Sequence, residues 1–247
     1  MRESKMVLMA SKWTPSSSFF FAILCASSWL SISAAHAKEA DKPKYPDPAR
    51  FETEIAAFEA YDHKNAPPAN PILFVGSSTV RLWQTADAFP DRPVINRGFG
   101  GSTIADVNHF ADRIVFKYKP RVIVFYSGDN DLAAGRTPDR VFSDFQTFAT
   151  SVRERLPETP IIYITVKPSV ARWKIWPKMQ EVNARVKALT QDNKQLTYID
   201  ISPTLLGEDG QPRKELFRDD GLHMNPKGYE GWNKLIGPAL TNLLPAH

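Results

Sequence analysis

The chain has 247 residues, of which 43% are apolar and 23% charged, and a formal charge of +4. That length supports one domain with a substantial core, and no repeat or low-complexity tract points to a fibrous or disordered chain. Arg2, Lys5 and Lys12 precede an apolar run from Phe19 to Ile32, and Ala35-His36-Ala37 fits a small-x-small cleavage site, so residues 1–37 read as a signal peptide and the protein as exported, periplasmic or secreted. The run is interrupted by Ser27, Ser28 and Ser31 and falls short of the roughly 20 apolar residues of a membrane span. No membrane span is expected after cleavage. Removing the leader leaves 28 basic against 26 acidic side chains, net +2, with no dense basic patch, which excludes a nucleic-acid partner on electrostatic grounds. Cys25 is the only cysteine and goes with the leader, so the mature chain has no disulfide and its stability must come from packing. Leu24 before Cys25 argues against a lipid anchor there.

Residues 38–48 are charged and proline-rich and read as an exposed linker, with a single domain over 49–247. A first helix is expected at about Ala49 to Asp62. Short continuous apolar runs follow at Ile72 to Val75, Val122 to Tyr126 and Ile161 to Val166, with weaker ones at Val94-Ile95 and Leu196 to Ile199; these have the look of strands buried on both faces. Between them, Ile104, Val107, Phe110, Ala111, Ile114, Val115 and Tyr118 form one helical stripe behind the capping pair Thr103 and Asp106. A second helix starts at Thr137-Pro138, carries Val141, Phe142, Phe145, Phe148, Val152 and Leu156, and is stopped by Pro157. A last helix follows Asn225-Pro226. Parallel strands need crossover helices, and those helices need apolar surface, so this alternation predicts a three-layer α/β/α sandwich around a parallel sheet.

In such a sheet, ligands bind beyond the carboxyl ends of the strands. The residues there are Gly76-Ser77-Ser78-Thr79, then Asn96 to Ser102 with three glycines, then Gly128-Asp129-Asn130-Asp131. Asp220 and His223 lie three residues apart just before the last helix. A serine hydroxyl attacks a carbonyl only when an imidazole takes its proton, and the imidazolium that forms is held by a carboxylate. Negative charge on the former carbonyl oxygen needs preorganised donors, each contributing roughly 3 kcal/mol. The backbone N–H groups of Ser78 and Gly101 and the side-chain amide of Asn130 are the candidates. His36 falls in the leader, His63 at a polar helix end, His109 within a helix and His247 at the terminus, which leaves His223, three residues after Asp220, as the candidate base. Asp129 and Asp131 lack the remaining ligands of a calcium loop, and no cysteine–histidine cluster suits zinc, so no metal or other cofactor is expected.

These blocks, GSS at 76–78, FGGS at 99–102, GDND at 128–131 and DGLH at 220–223, resemble the SGNH hydrolases, also called GDSL esterases and lipases, from about Ile72 onward. The resemblance implies a parallel, flavodoxin-like sheet, Ser78 as nucleophile, His223 as base, Asp220 as its orienting carboxylate, and Ser78, Gly101 and Asn130 as the oxyanion hole. The wording around the blocks is similar to bacterial members like platelet-activating-factor acetylhydrolases and lysophospholipases. Ser77 stands where that family has an aspartate.

The implied activity is hydrolysis of a small ester, a lipid or an acylated glycan through an acyl-enzyme on Ser78. Acyl transfer or glycan deacetylation at the same site, and a non-catalytic binding module keeping the fold, are the alternatives. The segment 167–176 carries Arg172, Trp173 and Trp176 beside the expected site. The two tryptophans either wall the substrate pocket or pack beneath a surface loop. Arg172, with Lys174, would favour a substrate bearing a negative group.

Overall fold

A computed structural model describes residues 45–244; the leader reading, and the linker up to residue 44, lie outside them. Five parallel strands form one sheet in the order β2-β1-β3-β4-β5: β1 Ile72–Gly76, β2 Val94–Gly98, β3 Val122–Tyr126, β4 Ile161–Ile164 and β5 Leu196–Ile199. All four strand pairs are parallel, with Ile72 opposite both Val94 and Val122 at the centre. The three-layer α/β sandwich with a flavodoxin-like sheet is therefore the fold.

Alternation along the strands divides the core in two, because successive side chains of a strand point to opposite faces. Leu73, Val75, Ile123, Phe125, Ile161 and Tyr163 face a layer made by α1 (Glu52–Lys64), α4 (Ile104–Ile114), α6 (Pro138–Arg155) and α7 (Trp176–Gln191). Ile72, Phe74, Val122, Val124, Tyr126, Ile162 and Ile164 face the short helices α2 (Ser78–Arg81) and α8 (Ser202–Leu205) and the long α9 (Pro226–Leu243). Strands covered on both sides can be apolar throughout, and β1, β3 and β4 are buried at every position.

Local chemistry accounts for the helix ends. Thr103 and Asp106 form a reciprocal capping box at α4, and the Thr137 and Asn225 side chains cap α6 and α9 ahead of a proline in the first turn. The chain departs from the sequence expectation in four places. The first helix opens with a 3-10 turn, Pro48–Phe51, before α1. The stripe ending at Tyr118 leaves the α-helix after Ile114 and finishes in a 3-10 turn, Phe116–Tyr118. Helix α7 was not expected: only Met179, Val182 and Val186, with Trp176 and Asn183, are buried on it, too narrow a stripe to stand out from its polar residues. Tyr45, in the segment read as exposed linker, is partly buried. Its hydroxyl donates to Asp144 at 2.5 Å and lies 3.2 Å from Asp131 Oδ1, and Arg136 and Arg140 lie over its ring.

Candidate active site

The sheet order reverses between β1 and β3, and the crevice at such a switch point is where an open α/β sheet binds ligands. β1 ends at Gly76, which has φ +144°, and a Cβ there would lie 1.7 Å from the Tyr126 carbonyl oxygen of β3. Only glycine lets the chain turn this tightly against its neighbour. The turn sends Ser77 inward, fully buried, with its hydroxyl lacking a hydrogen-bond partner among the described residues. Ser78 opens α2 half-buried at the rim, with its Oγ 3.0 Å from Nε2 of His223.

His223 lies in a loop pinned at several points. Phe217 and Met224 form an antiparallel bridge, the Arg218 N–H donates to the His223 carbonyl at 2.8 Å, and the Ala171 N–H donates to the Gly221 carbonyl at 3.0 Å. Asp220 shapes this loop and orients the ring together. Its Oδ1 accepts the N–H groups of Leu222 and His223 at 2.9 Å, while its Oδ2 is 2.5 Å from Nδ1 of His223. An ionised carboxylate only accepts, so Nδ1 carries the hydrogen and the Nε2 lone pair faces the Ser78 hydroxyl. Burial pushes the Asp220 carboxyl up, but the ring and backbone donors of His223 and the Leu222 N–H outweigh it and hold it at about 2. It stays ionised throughout the neutral range.

Asn130 opens toward the same point from α5 (Asp129–Ala133), directly after β3. Its Nδ2 donates to the Ser102 carbonyl at 2.9 Å, leaving a second hydrogen, and its Oδ1 accepts from Nη2 of Arg172 at 2.8 Å. A guanidinium can only donate, so this contact decides which end of the amide points where. Gly101, at φ +77°, carries its backbone into the same cleft. The N–H groups of Ser78 and Gly101 have no acceptor among the described residues. The Asp131 carboxylate accepts the Ile104 N–H at 3.1 Å, tying the Asn130 turn to the start of α4; burial, opposed by that N–H, pushes its carboxyl up to about 7. Ser78, Leu82, Gly101, Asn130, Arg172 and His223 border a cleft of about 370 Å³.

Residues 76–230 match the GDSL-like lipase/acylhydrolase family. The chain belongs to that family. Its fold is shared with solved structures: a Streptococcus pneumoniae protein named for platelet activating factor (TM-score 0.70, 20% identity, covering 78% of this chain and 94% of that one) and a GDSL-like lipase from Bacteroides thetaiotaomicron (TM-score 0.64, 24% identity, 80% and 98%). An acetyl-xylooligosaccharide esterase from Geobacillus stearothermophilus is more distant (TM-score 0.58, 14% identity, 72% and 96%). No curated protein matches. The family supports ester hydrolysis as the activity of this acylhydrolase-type chain.

Of the substrate-binding candidates in this family member, the structure brings only Arg172 to the cleft. Trp176 is buried at the start of α7, and Trp173 stacks on it with ring centroids 6.1 Å apart, both packed on the sheet layer. Trp173 borders a different depression, with Val170 and Gly207 to Glu215. The 3-10 turn Trp173–Ile175 leads the chain into α7, and neither indole borders the cleft at Ser78. Lys174 is exposed. Arg172 is not a free cation either: its Nη1 pairs with Asp129 Oδ2 at 2.7 Å. Its orientation of Asn130 gives a first expected result. Arg172→Ala lowers kcat on neutral esters by roughly 10- to 100-fold, the equivalent of losing hydrogen bonds from a charged donor. An equal loss of kcat confined to anionic esters would instead mean that Arg172 binds the substrate.

Two residues escaped the sequence reading. Asp129 drew notice only as a calcium-loop flank, and Lys167, one residue past an apolar run, had the pattern of a solvated strand end. Lys167 is fully buried. Neither carries a local signal, because what marks them is the pairing of Asp129 with both Lys167 and Arg172 across distant segments.

Proposed function

We propose that this chain is a carboxylic ester hydrolase working through an acyl-enzyme, with Ser78 as nucleophile, His223 as base and acid, and Asp220 as the orienting carboxylate. The observation that carries the reading is the relay at the cleft floor: 3.0 Å from Ser78 Oγ to His223 Nε2 and 2.5 Å from His223 Nδ1 to Asp220. Ser78 Oγ attacks the ester carbonyl as its proton passes to Nε2. The Ser78 and Gly101 N–H groups and the free Asn130 amide hydrogen receive the developing oxyanion. His223 then protonates the departing alcohol, and water, deprotonated by the same nitrogen, releases the acid and restores the serine.

A cleft of about 370 Å³ lies at the small end of ligand sites, which favours short acyl groups over long chains. One of the solved fold relatives is an acetyl esterase and another an acetyl-xylooligosaccharide esterase, in keeping with a small acyl group here. If export holds, acylated envelope glycans or lipids are the esters within reach.

The test is turnover of nitrophenyl esters from acetyl to palmitoyl, together with covalent labelling by a fluorophosphonate probe. Labelling at Ser78, with turnover highest for acetyl to butyryl esters, is the expected result. A folded protein that neither turns over these esters nor takes the probe would be a binding module and not an enzyme.

A further inference from the structure

Lys167 follows β4, and its side chain is 1% exposed. A buried ammonium has given up its water, a cost that only fixed dipoles and charges can offset. Its hydrogen-bond acceptor is the Leu222 carbonyl at 2.9 Å, and it forms an ion pair with Asp129 Oδ2 at 4.0 Å. The Leu222 carbonyl belongs to the peptide whose nitrogen is that of His223. The same Asp129 oxygen is ion-paired with Arg172 Nη1 at 2.7 Å, and Arg172 Nη2 donates to Asn130 Oδ1 at 2.8 Å. One series of polar contacts thus joins the base loop to the amide proposed for the oxyanion hole, buried at Lys167 and Asp129 and reaching the cleft at Arg172.

We infer that Lys167 is a positioning residue whose ammonium, anchored on Asp129, holds the Leu222–His223 peptide and, through Arg172, the Asn130 amide in register with Ser78. This rests on the acyl-enzyme reading above. An apolar side chain would fill the same space at less cost to folding, so stability alone gives no reason for a charge there. A carbonyl from one loop and a carboxylate from another do require a cation between them if both are to keep one position.

The ammonium also makes the arrangement sensitive to pH. The groups facing it are Asp129 on α5, Arg172 beyond β4, Asp220 in the base loop and Tyr126 at the end of β3, a phenol that burial pushes far above its ordinary range and so keeps neutral. Burial, the largest effect, lowers Lys167 to about 8; Arg172 lowers it further, against Asp129 and Asp220, which raise it. Between that pH and the roughly 10.4 of an unfolded lysine, the unfolded chain holds the proton and the folded one does not. The contribution of this group to stability therefore rises with pH across that window. Activity moves the other way, since the neutral amine holds Leu222 and Asp129 less firmly. A fall in rate without a fall in melting temperature separates positioning from unfolding.

The experiment measures kcat, KM and melting temperature from pH 6.5 to 9.5 on nitrophenyl acetate for the wild-type chain, Lys167→Met and Lys167→Arg, with fluorophosphonate labelling of each. Wild-type kcat is expected to drop at least threefold above pH 8 while the melting temperature holds. Lys167→Met should lose at least tenfold in kcat at pH 7.5 with KM within threefold, and show no basic limb. Lys167→Arg, which keeps its charge, should recover part of kcat and carry the limb beyond the range. A folded Lys167→Met with kcat within twofold of wild type and an unchanged profile overturns the inference. Should that variant not fold, a wild-type kcat flat from pH 7 to 9.5 overturns it equally. A wild-type chain that neither labels nor turns over overturns the acyl-enzyme reading as well, whereas labelling with either of the other two outcomes sinks this inference alone.

Discussion

Ser78→Ala is expected to lower kcat on nitrophenyl acetate by roughly 10⁴- to 10⁶-fold, as removal of the nucleophile from a serine-based relay does. Ser77→Ala, measured beside it, should stay within about fivefold of the wild type, because the Ser77 hydroxyl touches neither the imidazole nor the cleft. Two adjacent serines compete for this role in the sequence, and their surroundings separate them. Ser78 Oγ is 3.0 Å from the His223 ring, whereas Ser77 Oγ is fully buried with no partner among the described residues. Deleting a buried hydroxyl without a partner leaves no group newly unsatisfied, so the Ser77 variant should also melt within a few degrees of the wild type. Turnover retained in Ser78→Ala, or loss of labelling in Ser77→Ala, would move the nucleophile to Ser77. The comparison also addresses the family position at which Ser77 replaces an aspartate: that position faces the protein interior here and not the cleft.

His223→Ala should cost a similar factor, roughly 10⁴ to 10⁶ in kcat, and adding it to Ser78→Ala should cost almost nothing further. Groups that act as one unit are not additive, because once either is gone the relay is gone. Asp220→Asn is the sharper companion. An asparagine can keep the two backbone acceptor contacts at Oδ1 that shape the loop, yet it places an NH₂ where Nδ1 of His223 now donates. The ring then favours the other tautomer, with its hydrogen on Nε2 facing Ser78, and kcat falls roughly 10⁴-fold while the fold is kept. Since the Asp220 carboxyl is held at about 2, below its unfolded value, its contribution to stability is present above about pH 4 and is lost as pH falls toward 2. No activity limb in the neutral range belongs to it. Independent, additive losses for Ser78→Ala and His223→Ala would contradict a relay.

The catalytic proposal was legible in the sequence because its parts are local. Asp220 and His223 share one short loop, and Ser78, Gly101 and Asn130 each follow a strand whose end is marked by glycine. The substrate wall was not legible. Trp173 and Trp176 stand three residues apart beside the site, and the residues alone could not say whether they face the cleft or the core. The 3-10 turn that carries Trp173 and the first turn of α7, which carries Trp176, pack them against the core. Arg172 reads as a free cation and is a partner of Asp129 and Asn130. Tyr45 reads as part of a solvated linker and closes onto two aspartates about 90 residues away.

Hydrophobic period, capping pairs and glycine-marked turns depend on neighbours within a few residues, so the α/β alternation, the helix starts and the residues at the strand ends could all be read from order alone. Burial and charge pairing depend on segments the chain folds together. His223 meets Ser78 across 145 residues and Lys167 meets Leu222 across 55. Which serine faces the imidazole, which cation loses its water and which indoles are covered were decided only by the packed sheet, because the dielectric surroundings of a side chain are set by whatever lies against it, not by what adjoins it along the backbone.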